Sequence, residues 1–261
     1  MNDGFTIVPR FTRRRFGAIA GGALASFAFG QACRAGGEAR EADDGRLTAR
    51  PRANVKTSAK GESALGLSRG RDAILKLPAH AADGPMPLFV MLDGAGQRGE
   101  AMLRRLGSAP DDAGVAVLAP DSRDSSWDAI RAGFGDDVTF INRALERVFD
   151  TVAVDPARVA IGGFSDGATY GLSLGLINGD LFPRVVAFSP GFVVNGTPHG
   201  KPSFFISHGT ADPILPIDQC SRVIVPTLRK RGYEVTFREF EGGHQVPPDI
   251  ARDAMQWVEH A

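Results

Sequence analysis

Between Arg158 and Ile177 three segments follow one another without a break. They are the short apolar run Arg158-Val159-Ala160-Ile161-Gly162, the pentapeptide Gly163-Phe164-Ser165-Asp166-Gly167, and a helix-length stretch that ends at Asn178-Gly179. The first run is β-branched and entered through Asp155-Pro156, so it reads as a turn followed by a buried strand. The stretch from Asp166 to Ile177 reads as a Gly-rich helix. A strand that passes into a helix through one serine holds the hydroxyl on a tight turn above a sheet. The flanking glycines are then required, because side chains there would collide with the strand and helix.

The pattern Gly-x-Ser-x-Gly occurs twice more, at Gly66 to Gly70 and Gly171 to Gly175. Ser173 falls inside the expected helix, where its hydroxyl would bond the backbone one turn back and its glycines would serve close packing. Ser68 precedes the strand-like run Asp72 to Leu77, which Pro78 closes; no helix follows, and a turn or bulge is the expectation. Only Ser165 has the context of a nucleophile.

From about Glu62 strands and helices alternate. Strands are expected at Asp72 to Leu77, Leu88 to Leu92, Val115 to Ala119, Val159 to Gly162, Val185 to Phe188, Ser203 to Ser207 and Val235 to Phe240. Helices are expected at about Glu100 to Leu106, Asp136 to Phe149, Asp166 to Ile177, Ile217 to Arg231 and Pro248 to His260. Val138, Ile141, Leu145 and Val148 recur at helical spacing and mark a buried stripe. This alternation implies an α/β fold with a mostly parallel sheet covered on both faces. Catalytic residues in such sheets sit at the carboxyl ends of the strands.

A serine nucleophile needs a base within reach and a third group to fix the base's tautomer. Of five histidines, His244 follows the last strand by way of Glu241-Gly242-Gly243 and precedes the final helix, on a loop that can present an imidazole to a central serine. By chain order Asp166, Asp180, Asp212 and Asp218 qualify as the carboxylate, with Glu234, Glu239 and Glu241 behind them. Asp212 follows a strand end directly in Ser207-His208-Gly209-Thr210-Ala211-Asp212-Pro213 and is the choice; Asp218 reads as an acid favoured at the next helix's N-terminus. The oxyanion formed on attack needs backbone donors. Asp166 N–H is one, and the second is expected from Asp93-Gly94-Ala95-Gly96-Gln97, with Ala95 first and Gly96 next.

These residues resemble the α/β-hydrolase superfamily, specifically the small carboxylesterases, phospholipases and polyhydroxyalkanoate-depolymerase-like esterases. The resemblance is carried by Gly163 to Gly167, His208 to Asp212, Gly242-Gly243-His244 and the Asp93 to Gly96 loop, over about residues 70 to 260. It implies an α/β-hydrolase fold without a large lid, a Ser165-His244-Asp212 triad acting on a small-molecule or polymer ester, and no metal or organic cofactor. It also implies that the loop Asp121 to Trp127 lines the pocket, with Trp127 and Gln97 as substrate contacts. A core or loop tryptophan is the plain alternative for Trp127. Members commonly carry histidine where this chain has Asp93. The same triad serves peptidases and acyltransferases, and a non-catalytic binding relative is the rival from another class.

The first 32 residues are read separately. Thr12-Arg13-Arg14-Arg15-Phe16 followed by the uncharged stretch Gly17 to Gly30 has the layout of an export signal, too short and Gly/Ala-rich for a stable membrane anchor. The paired arginines with Phe16 resemble a twin-arginine signal, with a Sec-type signal and incidental arginines as the alternative; either implies a periplasmic or extracellular protein. Gly30-Gln31-Ala32 before Cys33 resembles a lipoprotein processing site, apart from Gly30 where a Leu-like residue is usual. Cys33 either carries a lipid anchor or is a simple cysteine. Residues 33–61 are poor in large apolar side chains and read as a disordered linker, which places the catalytic domain at 62–261. Without residues 1–32 the chain has 26 basic and 29 acidic residues, so no basic surface for nucleic acid is implied. Nothing in the sequence sets the oligomeric state.

Overall fold

The run that enters Ser165 is the central strand of an eight-stranded sheet. The structure, a computed structural model, describes residues 5–7, 44–79 and 84–260. In chain order the elements are β1 (Phe5–Ile7), β2 (Glu62–Ala64), β3 (Ala73–Lys76), β4 (Met86–Leu92), α1 (Gly99–Leu106), α2 (Ala109–Asp112), β5 (Ala116–Pro120), α3 (Asp128–Arg131) and α4 (Asp136–Thr151). There follow β6 (Val154–Phe164), α5 (Asp166–Ile177), β7 (Arg184–Phe188), β8 (Val193–Gly196), β9 (Ser203–Gly209), a 3-10 turn (Ile217–Gln219), α6 (Ser221–Lys230), β10 (Val235–Phe240) and α7 (Pro248–Glu259).

The sheet order is β10-β9-β7-β6-β4-β5-β3-β2; β2 and β3 pair antiparallel with their neighbours and every other pairing is parallel. The strands from β4 to β9 are almost wholly apolar because helices cover both faces. One core holds Val138, Ile141, Leu145 and Val148 of α4 together with α5 and α6; the other holds Met102 and Leu106 of α1 with Ile250 and Met255 of α7. The helical stripe read from α4 is therefore a buried face.

Strand β4 lies between β5 and β6, so the chain moves one way from β4 to β5 and then crosses back to β6. The loops leaving β4 and β6 diverge at that reversal and open a crevice at the strands' carboxyl ends. Loop 93–97 and Ser165 both stand there.

Residues 44–61, expected as part of a disordered linker, instead run as an ordered strap over the ends of α4 and α5. Leu47 and Ala49 are buried. The amides of Leu47 and Ala49 donate to the side-chain oxygens of Asn178 (2.8 Å) and Asn142 (2.9 Å), and Asn178 Nδ2 donates back to Gly45 O (2.8 Å). Arg46 and Arg50 both pair with Asp180, at 2.8 and 2.6 Å, and Arg46 holds that carboxyl well below the usual range. Two buried apolar residues suffice because asparagines distant in sequence satisfy the backbone that would otherwise favour water.

Residues 33–43, with Cys33, and the twin-arginine segment lie outside the described residues. Phe5–Ile7, within the expected signal, pairs antiparallel with β8, Phe5 opposite Gly196 and Ile7 opposite Val193. Among the described residues no helix is long and apolar enough to cross a membrane.

Candidate active site

Strand β6 ends at Phe164, and Ser165 adopts φ 59° and ψ −119°, a conformation that costs a side-chain-bearing residue energy. The turn is held from both sides. Ser165 N–H donates to Phe188 O of β7 (3.0 Å), and Ser165 O receives Thr169 N–H (3.0 Å) at the start of α5. A Cβ on Gly163 would lie 2.5 Å from the carbonyl carbon of Gly167, and one on Gly167 would lie 2.5 Å from Asp93 O. The elbow thus closes on itself and on the end of β4, and only glycine fits at either position.

The other two copies of the pattern are structural. Ser173 is buried in α5, its Oγ donating to Thr169 O (2.7 Å) and accepting Val194 N–H (2.9 Å). Ser68 sits in the loop between the antiparallel strands β2 and β3, where Asp72 takes the amides of Gly66 (2.7 Å) and Leu67 (3.0 Å).

His244, on the loop between β10 and α7, places Nδ1 2.6 Å from Asp212 Oδ2. Asp212 follows β9, and its Oδ1 accepts the amides of Ile214 and Leu215, both at 2.9 Å. Burial alone would raise the Asp212 carboxyl; these two donors and His244 outweigh it and set the carboxyl below its ordinary value. The imidazole reaches the elbow through Phe164, the two ring centroids lying 4.6 Å apart. Among the described residues Ser165 Oγ makes no hydrogen bond, while the imidazole packs on the ring of the residue just before it. Catalytic hydrogen bonds are often this loose before substrate binds.

His208, only a strand end in the sequence, belongs to this group. Its Nε2 lies 2.7 Å from Leu215 O and 3.3 Å from Asp212 Oδ2, and its Nδ1 lies 2.7 Å from Ser221 Oγ. A carbonyl only accepts, so Nε2 carries the proton and Ser221 donates to Nδ1. Burial pushes the imidazole's pKa down, keeping it neutral. The spacing of four residues to Asp212 was the available clue.

Loop 93–97 is curved over the elbow. The amides of Ala95 and Asp166 have no acceptor among the described residues, whereas Gly96 N–H donates to Ser125 O at 2.7 Å. That removes Gly96 from the expected donors: its amide is committed to the 121–127 loop. Trp127 is also displaced from its expected role. It is 1% exposed, stacks on Tyr170 at 5.1 Å and donates Nε1–H to Asp93 O at 2.8 Å, so it supports the loop from the core. Gln97 is half-buried, its carbonyl taken by Arg71 (2.9 Å) and its Oε1 3.5 Å from Arg105 Nη2. Asp166 accepts Ser126 Oγ–H at 2.5 Å.

Cys220 is buried and its thiol is pushed up to about 12, which leaves it inert at neutral pH. Among the described residues no group of three His, Cys, Asp or Glu side chains could hold a metal ion.

Residues 121–261, just over half of the chain, match the phospholipase/carboxylesterase family. The putative esterase NocK of Nocardia uniformis subsp. tsuyamanensis is 29% identical over 183 residues, 66% of this chain but only 53% of NocK. The chain thus spans about half the length of that relative. The probable feruloyl esterase C of Aspergillus niger is 30% identical over 214 residues, covering 69% of this chain and 78% of the relative. Among solved structures, the fluorophosphonate-binding serine hydrolase FphF of Staphylococcus aureus superposes with a TM-score of 0.61 at 17% identity, over 79% of this chain and all of that one.

Proposed function

Since the chain belongs to the phospholipase/carboxylesterase family of α/β-hydrolases, we propose that it is an exported serine esterase with Ser165, His244 and Asp212 as its triad. The observation that carries this reading is the His244–Asp212 pair beside the strained Ser165 turn, all at one edge of the sheet.

In this reading His244 Nε2 takes the Ser165 proton as Oγ attacks the ester carbonyl. Asp212 accepts Nδ1–H, which fixes the tautomer and stabilises the imidazolium that forms. The negative charge on the carbonyl oxygen falls to the amides of Ala95 and Asp166, which are the available donors. The imidazolium then protonates the departing alcohol, and water, deprotonated by the same histidine, releases the acid from Ser165.

The test compares Ser165→Ala with the parent protein on short p-nitrophenyl esters. The variant should lose about a millionfold in kcat; equal activity in the two sinks the assignment. Because the name of one relative specifies feruloyl esters, methyl ferulate belongs in the ester panel that sets substrate preference. Export rests on the segment from Thr12 to Gly30, and cell fractionation of an Arg13→Lys, Arg14→Lys variant tests it. Mass spectrometry of the membrane fraction decides whether Cys33 carries lipid.

A further inference from the structure

Asp93 opens the loop after β4, at the position where the chain departs from the family's usual histidine. Its side chain is fully buried. Oδ1 accepts Ser122 N–H at 3.3 Å, while Oδ2 has no hydrogen-bond partner among the described residues and lies 3.5 Å from Arg71 Nη2. Arg71 enters from just ahead of β3, brought there by the antiparallel register that sets Ala73 opposite Pro120. Its Nε donates to Ser122 O, and its Nη2 to Ser122 Oγ (3.0 Å) and Gln97 O (2.9 Å). One guanidinium therefore meets the first and last residues of the five-residue stretch that carries Ala95.

The remaining attachments fix the curve between those ends. Trp127 Nε1–H holds Asp93 O, and Gly96 N–H is spent on Ser125 O. Within this frame the Ala95 amide is left for an incoming oxyanion. Arg71 Nη2 meets both loop ends while Nε, in the same rigid plane, is anchored on Ser122 O; an ammonium has no such second anchor to fix its position.

We propose that Arg71 and Asp93 form a clamp that sets the curvature of loop 93–97, and so act as positioning residues for the Ala95 amide in oxyanion stabilisation. This rests on the esterase reading above. The clamp has an electrostatic consequence. An ionised Asp93 adds negative charge at the base of a site that must receive negative charge during attack. The charged groups around it are Arg71 ahead of β3, Asp121 after β5 with Arg98 paired to it, and Asp166 at the head of α5. Burial brings the Asp93 carboxyl up to about 7, against the smaller lowering by Ser122 and Arg71.

The test is steady-state kinetics on p-nitrophenyl acetate for the parent, R71Q, R71K and D93N, with thermal unfolding of each. R71Q should lower kcat about 10- to 100-fold with KM within about threefold, because the oxyanion exists only in the transition state. R71K should fail to rescue it. The ratio of D93N to parent kcat should rise as pH is raised from about 6 to about 9, because only the parent gains charge there. Retention of parental kcat by R71Q, full rescue by R71K, or a pH-independent D93N ratio overturns the clamp. If R71Q does not fold, R71K and the D93N ratio decide alone. A parent protein that hydrolyses no ester, behaving as Ser165→Ala does, defeats the esterase reading instead.

Discussion

Asp212 Oδ2 lies between two imidazoles, 2.6 Å from His244 Nδ1 and 3.3 Å from His208 Nε2. The two histidines do different work. His244 is partly exposed and hangs from a Gly-rich loop, whereas His208 is buried and bonded through both ring nitrogens. One is free to exchange a proton; the other ties the Asp212 turn to Ser221 at the start of α6.

Asp212→Asn tests the first relationship. An asparagine keeps the volume and can still accept from Ile214 and Leu215, but its amide can meet Nδ1 as a donor and turn His244 to the tautomer that cannot take the serine proton. A fall in kcat of about ten-thousandfold is expected on p-nitrophenyl esters, with thermal stability changed far less. A fall below tenfold would remove Asp212 from the triad.

His208→Gln tests the second through pH. Burial lowers the folded-state pKa of His208 below its unfolded value, so at acid pH the unfolded chain binds the additional proton. Its contribution to stability is constant above the unfolded value of about 6.5 and becomes increasingly unfavourable as pH drops below it. Asp93, up to about 7, and Asp137, up to about 6, have the opposite sign in the same window, because there the folded state holds the proton. Taking the difference between parent and variant cancels them. Denaturant unfolding between about pH 7.5 and 5 should show the parent losing ground to the variant by up to about 1.4 kcal/mol per pH unit. A pH-independent difference contradicts a neutral buried His208.

The elbow predicts a contrast between glycines of the same pattern. Gly167→Ala drives a methyl into the carbonyls at the end of β4, and must separate α5 from β4 and shift Asp93 with it. Gly70→Ala, in the copy around Ser68, meets nothing within 4 Å. Gly167→Ala should destabilise by about 1–3 kcal/mol or more and reduce kcat, while Gly70→Ala stays within about 0.5 kcal/mol. Thermal unfolding and p-nitrophenyl ester turnover together read both; equal effects would deny the elbow its tight packing.

Much of this geometry was legible in the chain because it follows from local pattern. The seven expected strands and five expected helices all occur, since each is long or apolar enough to carry a period. The Asp155-Pro156 turn became part of the extended β6, and the single helix expected over Ile217 to Arg231 breaks at Cys220, whose φ of −115° and ψ of −99° are not helical. Elements of three or four residues, such as β2, β8, α2 and α3, were not read because so few positions define no period. Chain order and strand ends pointed to Ser165, Asp212 and His244, and in the fold His244 Nδ1 does meet Asp212. Arg71 was not readable, because its contact with Gln97 depends on the register of β3 against β5, two elements far apart in sequence. Trp127 was misplaced for the same reason: its partner Asp93 lies 34 residues away, and burial cannot be told from pocket lining by residue type.

The strap over residues 44–61 carries the remaining prediction. Leu47 is 1% exposed against the α4 and α5 layer, and its amide donates to the side-chain oxygen of buried Asn178. Leu47→Ala removes the largest apolar anchor of the strap and leaves a cavity beside α5, so denaturant unfolding should show a loss of about 2–5 kcal/mol. Arg50→Ala is the control. It breaks an exposed ion pair with Asp180, which Arg46 still engages, and two hydrogen bonds to Leu47 O and Ala49 O (both 2.8 Å), but leaves no cavity in the core and should cost less, about 1–2 kcal/mol. Since α5 begins at Ser165 and ends at the strap, loosening its far end should reach the elbow only through global stability. At temperatures where Leu47→Ala remains folded, its kcat on p-nitrophenyl esters should match the parent's. A strap that was merely a tether would give Leu47→Ala and Arg50→Ala the same small effect.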